Sequence, residues 1–319
     1  MRSHRTNPMY EANYSEVFEF VLLGLSTYRP VQHFLLAIST VFYVIIVLGN
    51  ILVVLTVTFD LRLHSPMYFL LGNLSFIDLC LSTLTVPKMI SDLYSGHNTI
   101  SFQGCVIQIF VLHVLGGSEM VLLIVMALDR YVAICRPLHY LTIMSPRLCI
   151  LLLSGAWAIG LIHAVAQLAF VVYLPFCGPN EINSFYCDLP WFIKLACTDT
   201  YRTEFVVTAN SGFISTGTFF LLIISYIFIL VTVQKRSSAG LSKALSTLSA
   251  HIIVVILFFG PCVFIYIWPF PPVPGDKFVA VLDFMITPIL NPAIYTLRNK
   301  DMKMAMKRLS VQVLSLRKI

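Results

Sequence analysis

The chain has 319 residues, of which 58% are hydrophobic and 11% charged, with a mean hydropathy of +0.86 and a formal net charge of +6. Soluble domains carry roughly 25% charged residues, so 21 basic and 15 acidic side chains cannot supply a water-facing shell for a chain this long. A soluble enzyme and a disordered chain are both excluded, and the composition points to one all-α bundle whose solvent is lipid.

The first 30 residues are polar and carry Arg2, Arg5, Glu11, Glu16, Glu19 and Arg29. No apolar stretch of the signal-peptide kind precedes them, so membrane targeting is expected from the first long apolar span. Asn13-Tyr14-Ser15 is a glycosylation sequon in this head. Asn73-Leu74-Ser75 has the same form but lies inside an apolar run and is taken as accidental.

A spanning helix needs about 20 mostly apolar residues. Seven stretches qualify: 33–57, 66–90, 102–134, 148–172, 204–233, 244–268 and 278–297. The chain thus divides into a head (1–30), a seven-span domain (31–298) and a tail (299–319). In the tail, Met302, Ala305, Met306 and Leu309 repeat at i, i+3, i+4 and i+7, with Lys303, Lys307 and Arg308 off that stripe. The pattern predicts a short amphipathic helix on the inner membrane surface.

Seven is odd, so the termini lie on opposite faces. Placing the C-terminus inside puts 14 of the 21 basic residues on the inner face, against only Asp60, Asp129 and Asp301. The outer face then holds seven basic and nine acidic residues. Positive-inside bias therefore sets the N-terminus outside, where Asn13 is open to glycosylation. Cys105, Cys177, Cys187 and Cys197 also fall outside, in or beside polar loops, which suits an oxidising compartment. The basic cluster from Arg298 to Lys318 reads as a membrane-facing surface and not as a nucleic-acid site, since no soluble domain carries it.

Three acids interrupt the spans: Asp78, Glu119 and Asp283. Carboxyls in lipid are costly, so Asp78 and Glu119 should face the bundle interior. There they share a proton, flank a cation such as Na⁺, or hydrogen-bond as a protonated carboxyl to Asn50, Asn73 or Asn291. Asp283 lies nine residues before Pro292, roughly 13 Å up the same helix. It anchors a ligand's donor, pairs with His113, or faces polar neighbours. His163 and Gln167 in the fourth span read as structural, bonding a neighbouring helix.

Asp129-Arg130-Tyr131 closes the third span and Asn291-Pro292-Ala293-Ile294-Tyr295 the seventh. Arg130 can pair with Asp129 or swing to another helix, which is how a two-state latch works. Pro292 removes a backbone donor and kinks its helix. Asn50, Asp78, Cys105, Asp129-Arg130-Tyr131, Trp157 and Asn291-Pro292-x-x-Tyr295 fall one set per span, in order. This order resembles the rhodopsin-like G-protein-coupled receptors. Longer strings narrow it: Leu63-His64-Ser65-Pro66-Met67-Tyr68-Phe69-Leu70, Met126 to Tyr140, Ser225-Tyr226, Lys243 to His251, and Pro288-Ile289-Leu290-Asn291-Pro292. Together they are similar to the olfactory receptor family, tetrapod-type class, over nearly the whole chain. Leu128, Leu245, Leu248 and Phe259 depart from the family's usual residues by mild apolar swaps.

The resemblance implies Cys105–Cys187 and Cys177–Cys197 disulfides. It implies an odorant pocket in the outer half near Leu112, His113, Gly116, Gly117, Asn210, Ser211, Phe259, Cys262, Val263, Tyr266, Val281, Asp283 and Phe284. Leu112 stands where amine-binding relatives carry aspartate. Activation-switch roles fall to Asp129, Arg130, Tyr131, Tyr226, His251, Asn291, Pro292 and Tyr295, with Asp78 and Glu119 as an ion or proton site. The implied partners are a small volatile, mostly apolar odorant and a stimulatory olfactory G protein that raises cAMP, in the plasma membrane of sensory cilia. No cofactor is implied beyond the possible Na⁺. Rival readings are the same fold sensing a metabolite in another tissue, and a transporter or channel; the latter predicts internal repeats and a continuous polar path, and neither is visible. No nucleophile–base pair or metal-ligand spacing marks an enzyme.

Overall fold

In lipid every backbone N–H and C=O must be bonded within its own segment, which leaves the helix as the form for long apolar stretches. The computed structural model describes residues 18–235, 248–249, 251–262 and 272–316, with the helix backbone alone at 295–298 and 310–316. Six helices are long and apolar enough to cross a membrane. They are α1 (Arg29–Phe59), α2 (Pro66–Ser95), α3 (Phe102–Cys135), α4 (Pro146–Leu168), α5 (Tyr201–Gln234) and α7, which crosses over Asp276–Ile294. Between the last two lies the apolar helix α6, described over His251–Cys262. The set is a seven-helix membrane bundle, as the hydropathy predicts.

The helix ends follow from local chemistry. Proline opens α1, α2 and α4 at a position whose N–H would have no partner. Ser101 Oγ accepts the Gly104 N–H at 3.1 Å to cap α3. Gly96 stops α2 with φ +71°, and its N–H reaches the Asp92 carbonyl at 2.9 Å. The fourth span was expected to reach 172, but α4 ends at Leu168 and residues 169–173 form a turn. Helix α7 is not uniform: Asp276–Val281 and Thr287–Arg298 flank a π segment, Leu282–Ile286.

Helix α3 is the axis of the bundle. In its most apolar stretch 61% of residues are buried, against 22% in α1. It meets α4 at backbone distance, since a Cβ on Gly160 would strike Ser118 Oγ and the Val114 carbonyl. Small residues permit such approach between membrane helices. On the outside, Leu151, Ile162, Phe213 and Phe228 turn apolar side chains away from the protein, which suits lipid.

One end of the bundle carries structure that an all-helical expectation lacked. Strand β1 (Glu19–Leu22) pairs antiparallel with β2 (Thr99–Ser101) and parallel with β3 (Glu181–Ile182). Fully buried Phe20 anchors this sheet among Phe102, Phe176 and Phe192, with ring centroids 5.2–6.1 Å away. Cys105 is joined to Cys187 and Cys177 to Cys197, the implied pairing. At the other end helix α8 (Lys300–Leu316) runs past the expected stop at 309. Met302 and Ala305 are fully buried, and Arg308 Nε donates to Asp60 Oδ2 at 2.9 Å. At the start of α8, Tyr68 OH donates to Asn299 Oδ1 at 3.1 Å.

Candidate functional site

Below the sheet, helices α3, α4, α5, α6 and α7 leave a cavity of about 80 Å³, roofed by the segment from Tyr186 to Leu189. The Cys105–Cys187 bond places that roof, and Gln108 fixes it: the Cys187 N–H donates to Gln108 Oε1 at 2.8 Å. Gln108 Nε2 in turn donates to the Leu84 carbonyl at 2.9 Å. Of the predicted pocket residues, Leu112, His113, Gly116, Gly117, Ser211, Cys262, Asp283 and Phe284 line the cavity. Asn210, Phe259 and Val281 are outside that lining. Phe259 packs between Phe219 and Phe258 instead. Val263 and Tyr266 lie outside the described residues, as does Asn13.

Several lining residues escaped the sequence reading, among them Tyr186, Asp188, Ser215 and Phe258, and His163 lines the cavity too. His163, read as structural, stacks near His113 with ring centroids 5.7 Å apart. Its backbone carbonyl takes the Asn210 amide at 3.5 Å. Gln167, by contrast, is structural as expected: its amide donates to Ser211 on α5. Asp188 follows Cys187 directly, so the bridging cysteine was the available signal. Tyr186 OH donates to Asp188 Oδ1 at 3.2 Å. Burial pushes the Asp188 carboxyl up to about 7; nearby Asp276 adds to the rise and the Tyr186 bond opposes it. Lys277 Nζ ties α7 to the chain just after β1 and β3 by donating to Gly24 O at 2.8 Å and to Asn183 Oδ1 at 2.9 Å.

Of the three intramembrane acids, Glu119 and Asp283 line the cavity and Asp78 does not. Asp78 is buried and its Oδ2 accepts from Asn291 Nδ2 at 2.9 Å. Asn50 Nδ2 bonds the Pro288 carbonyl at 2.9 Å, a group that becomes available because Pro292 has no N–H to offer it. Asn73 bonds its own helix at Phe69 O. Of the three candidate amides for Asp78, the structure therefore selects Asn291. Glu119 lies on the cavity floor within electrostatic reach of Asp78 and Asp283. Asn50 Oδ1, Ser75 Oγ, Glu119 Oε1 and Asn291 Oδ1 are buried oxygens with no hydrogen-bond partner among the described residues. An all-oxygen set of this kind fits a hard cation or a proton. No group of three or more His, Cys, Asp or Glu among the described residues is arranged to hold a metal ion.

At the far end of α3, Asp129 Oδ1 accepts from Tyr140 OH at 2.6 Å. Among the described residues Arg130 forms no ion pair, so Tyr140 holds the acid that the sequence offered to Arg130. Burial and the adjoining Asp129 carboxylate both raise the Tyr140 phenol above its ordinary range. Tyr226 OH and His251 Nδ1 are 2.9 Å apart and buried, joining α5 to α6 near Arg130. Tyr131 is half-buried, and the Tyr295 side chain lies outside the described residues.

The chain's similarities agree with this architecture. A family model described as "Olfactory receptor" matches residues 39–313. Human Olfactory receptor 4F6 is 63% identical over 311 residues, covering 98% of this chain and all of that relative. Human Olfactory receptor 4F15 is 60% identical over 96% of this chain and 98% of its own length. Olfactory receptor 4K5, also human, is 56% identical over 98% and 96%. With a seven-helix bundle, a disulfide-held roof over an interior cavity and matches along nearly its full length, the chain belongs to the olfactory receptor family of G-protein-coupled receptors and is a multi-pass membrane receptor, not an enzyme.

Proposed function

We propose that the cavity beneath the roof is the odorant site and that its occupancy is read at the Arg130 end by a stimulatory olfactory G protein, raising cAMP. The observation that carries this reading is one continuous helix. His113 lines the cavity, and Arg130 lies on the same α3, about 25 Å away at 1.5 Å per residue. Cys262 on α6 also lines the cavity, while His251 on that helix bonds Tyr226 near Arg130. A ligand that binds one arrangement of α3 and α6 more tightly shifts the population toward it. Helix movement then changes the partners of Asp129, Arg130, Tyr131, Tyr226 and His251, with the Pro292 kink and Tyr295 moving in α7.

In this reading Val263 and Tyr266 complete the pocket. Asp78 and Glu119 hold Na⁺ or a shared proton, using the unpartnered oxygens around them. The sheet-bearing end faces outside, with Asn13 glycosylated in the 1–30 head, and α8 lies on the inner leaflet. The 31–298 segment is the receptor domain, and the cell surface is that of olfactory cilia. The test is a cAMP response to a volatile panel in cells that express the receptor at the surface. A dose-dependent rise that disappears in Arg130→Ala at equal surface expression is expected. No rise across a broad panel, with surface expression verified, refutes the reading.

A further inference from the structure

Besides the hydroxyls of Tyr186, Ser211 and Ser215, the polar lining of the cavity is carboxyl and imidazole. Glu119, Asp188 and Asp283 bring carboxyls to it and His113 and His163 bring imidazoles, with no lysine or arginine among the described lining residues. Hydrogen-bond geometry fixes the His113 tautomer. Its Nδ1 lies 2.8 Å from the Ile109 carbonyl. A carbonyl only accepts, so Nδ1 carries the proton, and in the neutral ring Nε2 is a bare acceptor. That Nε2 is buried and has no partner among the described residues. The same holds for Asp283 Oδ1 and Glu119 Oε1. A carboxyl accepts through either oxygen and, when protonated, also donates.

Buried polar atoms left unpaired are costly, and a ligand that pairs them gains that cost back. The complement to a bare imidazole nitrogen in a cavity that also carries carboxyls is a group that both donates and accepts. We infer that this cavity selects small volatile alcohols and phenols: the ligand O–H donates to His113 Nε2, and its oxygen accepts from the Asp283 carboxyl in its protonated form. This deepens the odorant reading of the cavity and rests on it. Ethers, aldehydes and esters only accept, so they leave Nε2 unpaired. Carboxylates have no proton to give Nε2 and meet no lysine or arginine among the described lining residues. Ammonium ions surrender their hydration shell, and their head group has no lone pair to accept with. The size limit is tight. At ~10–15 Å³ of accessible space per water, a cavity of about 80 Å³ has room for only several waters.

The test uses the full-length receptor and matched ligands on several short skeletons, such as hexan-1-ol, hexyl methyl ether, hexanal, hexanoic acid and hexylamine, and phenol with anisole. Two readouts are taken: the thermal midpoint of the purified receptor, which needs no G protein, and cAMP in cells. On at least one skeleton the hydroxyl ligand should be at least about tenfold more potent than its methyl ether. In His113→Leu that ratio should fall to within about threefold, with the ether still active. Ethers, aldehydes, acids or amines that match or exceed the alcohol on every skeleton overturn the inference. So does an unchanged alcohol-to-ether ratio in a folded His113→Leu. If that variant does not fold, the wild-type series decides alone. Silence to the whole panel, with other volatiles still active, overturns the inference and leaves the odorant reading standing. Silence to every volatile at verified surface expression overturns that reading, and the inference with it.

Discussion

Asp188 shows how one residue's environment sets a measurable property. Its unfolded carboxyl titrates at 3.8 and its native carboxyl at about 7, because burial disfavours the anion by more than the Tyr186 hydrogen bond favours it. Below pH 3.8 both states hold the proton and burial of the neutral acid costs little. Between 3.8 and about 7 the unfolded chain is ionised while the native one stays protonated, so stability falls as pH rises through that window and is flat above it. The thermal midpoint of the purified receptor should therefore drop between pH 4 and 7 by more in the native chain than in Asp188→Asn. Parallel pH profiles for the two proteins would contradict this placement. The sequence named Asp283 and Glu119 because charges in apolar runs stand out. It passed over Asp188 and read His163 as structural, because both look ordinary until a disulfide and a close helix pair bring them to the cavity.

At the scale of elements, the contact of α3 with α4 depends on the lack of a side chain at Gly160. A Cβ there would meet Ser118 Oγ and come within 2.5 Å of the Val114 carbonyl, and backbone cannot rotate away as a side-chain tip can. Gly160→Ala should destabilise by roughly 1–3 kcal/mol through overpacking. The expected signs are a lower thermal midpoint and reduced surface expression. The variant should also disturb the cavity, because His163 and Gly117 sit at this contact and both line it. A variant with native melting and native ligand response would show that α4 can move aside. The helices themselves were legible from hydropathy. Their ends were less so: α4 stops at Leu168 and α8 continues to Leu316, since end positions depend on what the last turn packs against.

At the scale of the molecule, the roof is held by crosslinks of unequal reach. Cys105–Cys187 spans 82 residues and ties α3 to the roof, whereas Cys177–Cys197 spans 20 within the loop. By the loop-entropy relation the first should stabilise by roughly 4–5 kcal/mol and the second by about 3 kcal/mol. Cys105→Ser should abolish surface delivery and ligand response, since the Gln108 bond to Cys187 loses its register too. Cys177→Ser should lower the melting temperature less and leave part of the response. Equal losses in the two variants would mean that the sheet and the Phe20 cluster, not the crosslink to α3, position the roof.

The sequence by itself determined the solvent, the number and order of spans, the amphipathic α8 and the family. Each of these depends on residues close together along the chain: about 20 apolar neighbours make a span, and an apolar repeat every three to four residues makes a surface helix. Only the tertiary structure decided which polar groups meet. Asp78 takes Asn291 out of three candidate amides, Asp129 takes Tyr140, and His113 turns Nδ1 to its own helix, leaving Nε2 unpaired. Those choices depend on helix rotation and on how closely the backbones approach. Both are set by side-chain shape across contacts far apart in sequence, which no local pattern records.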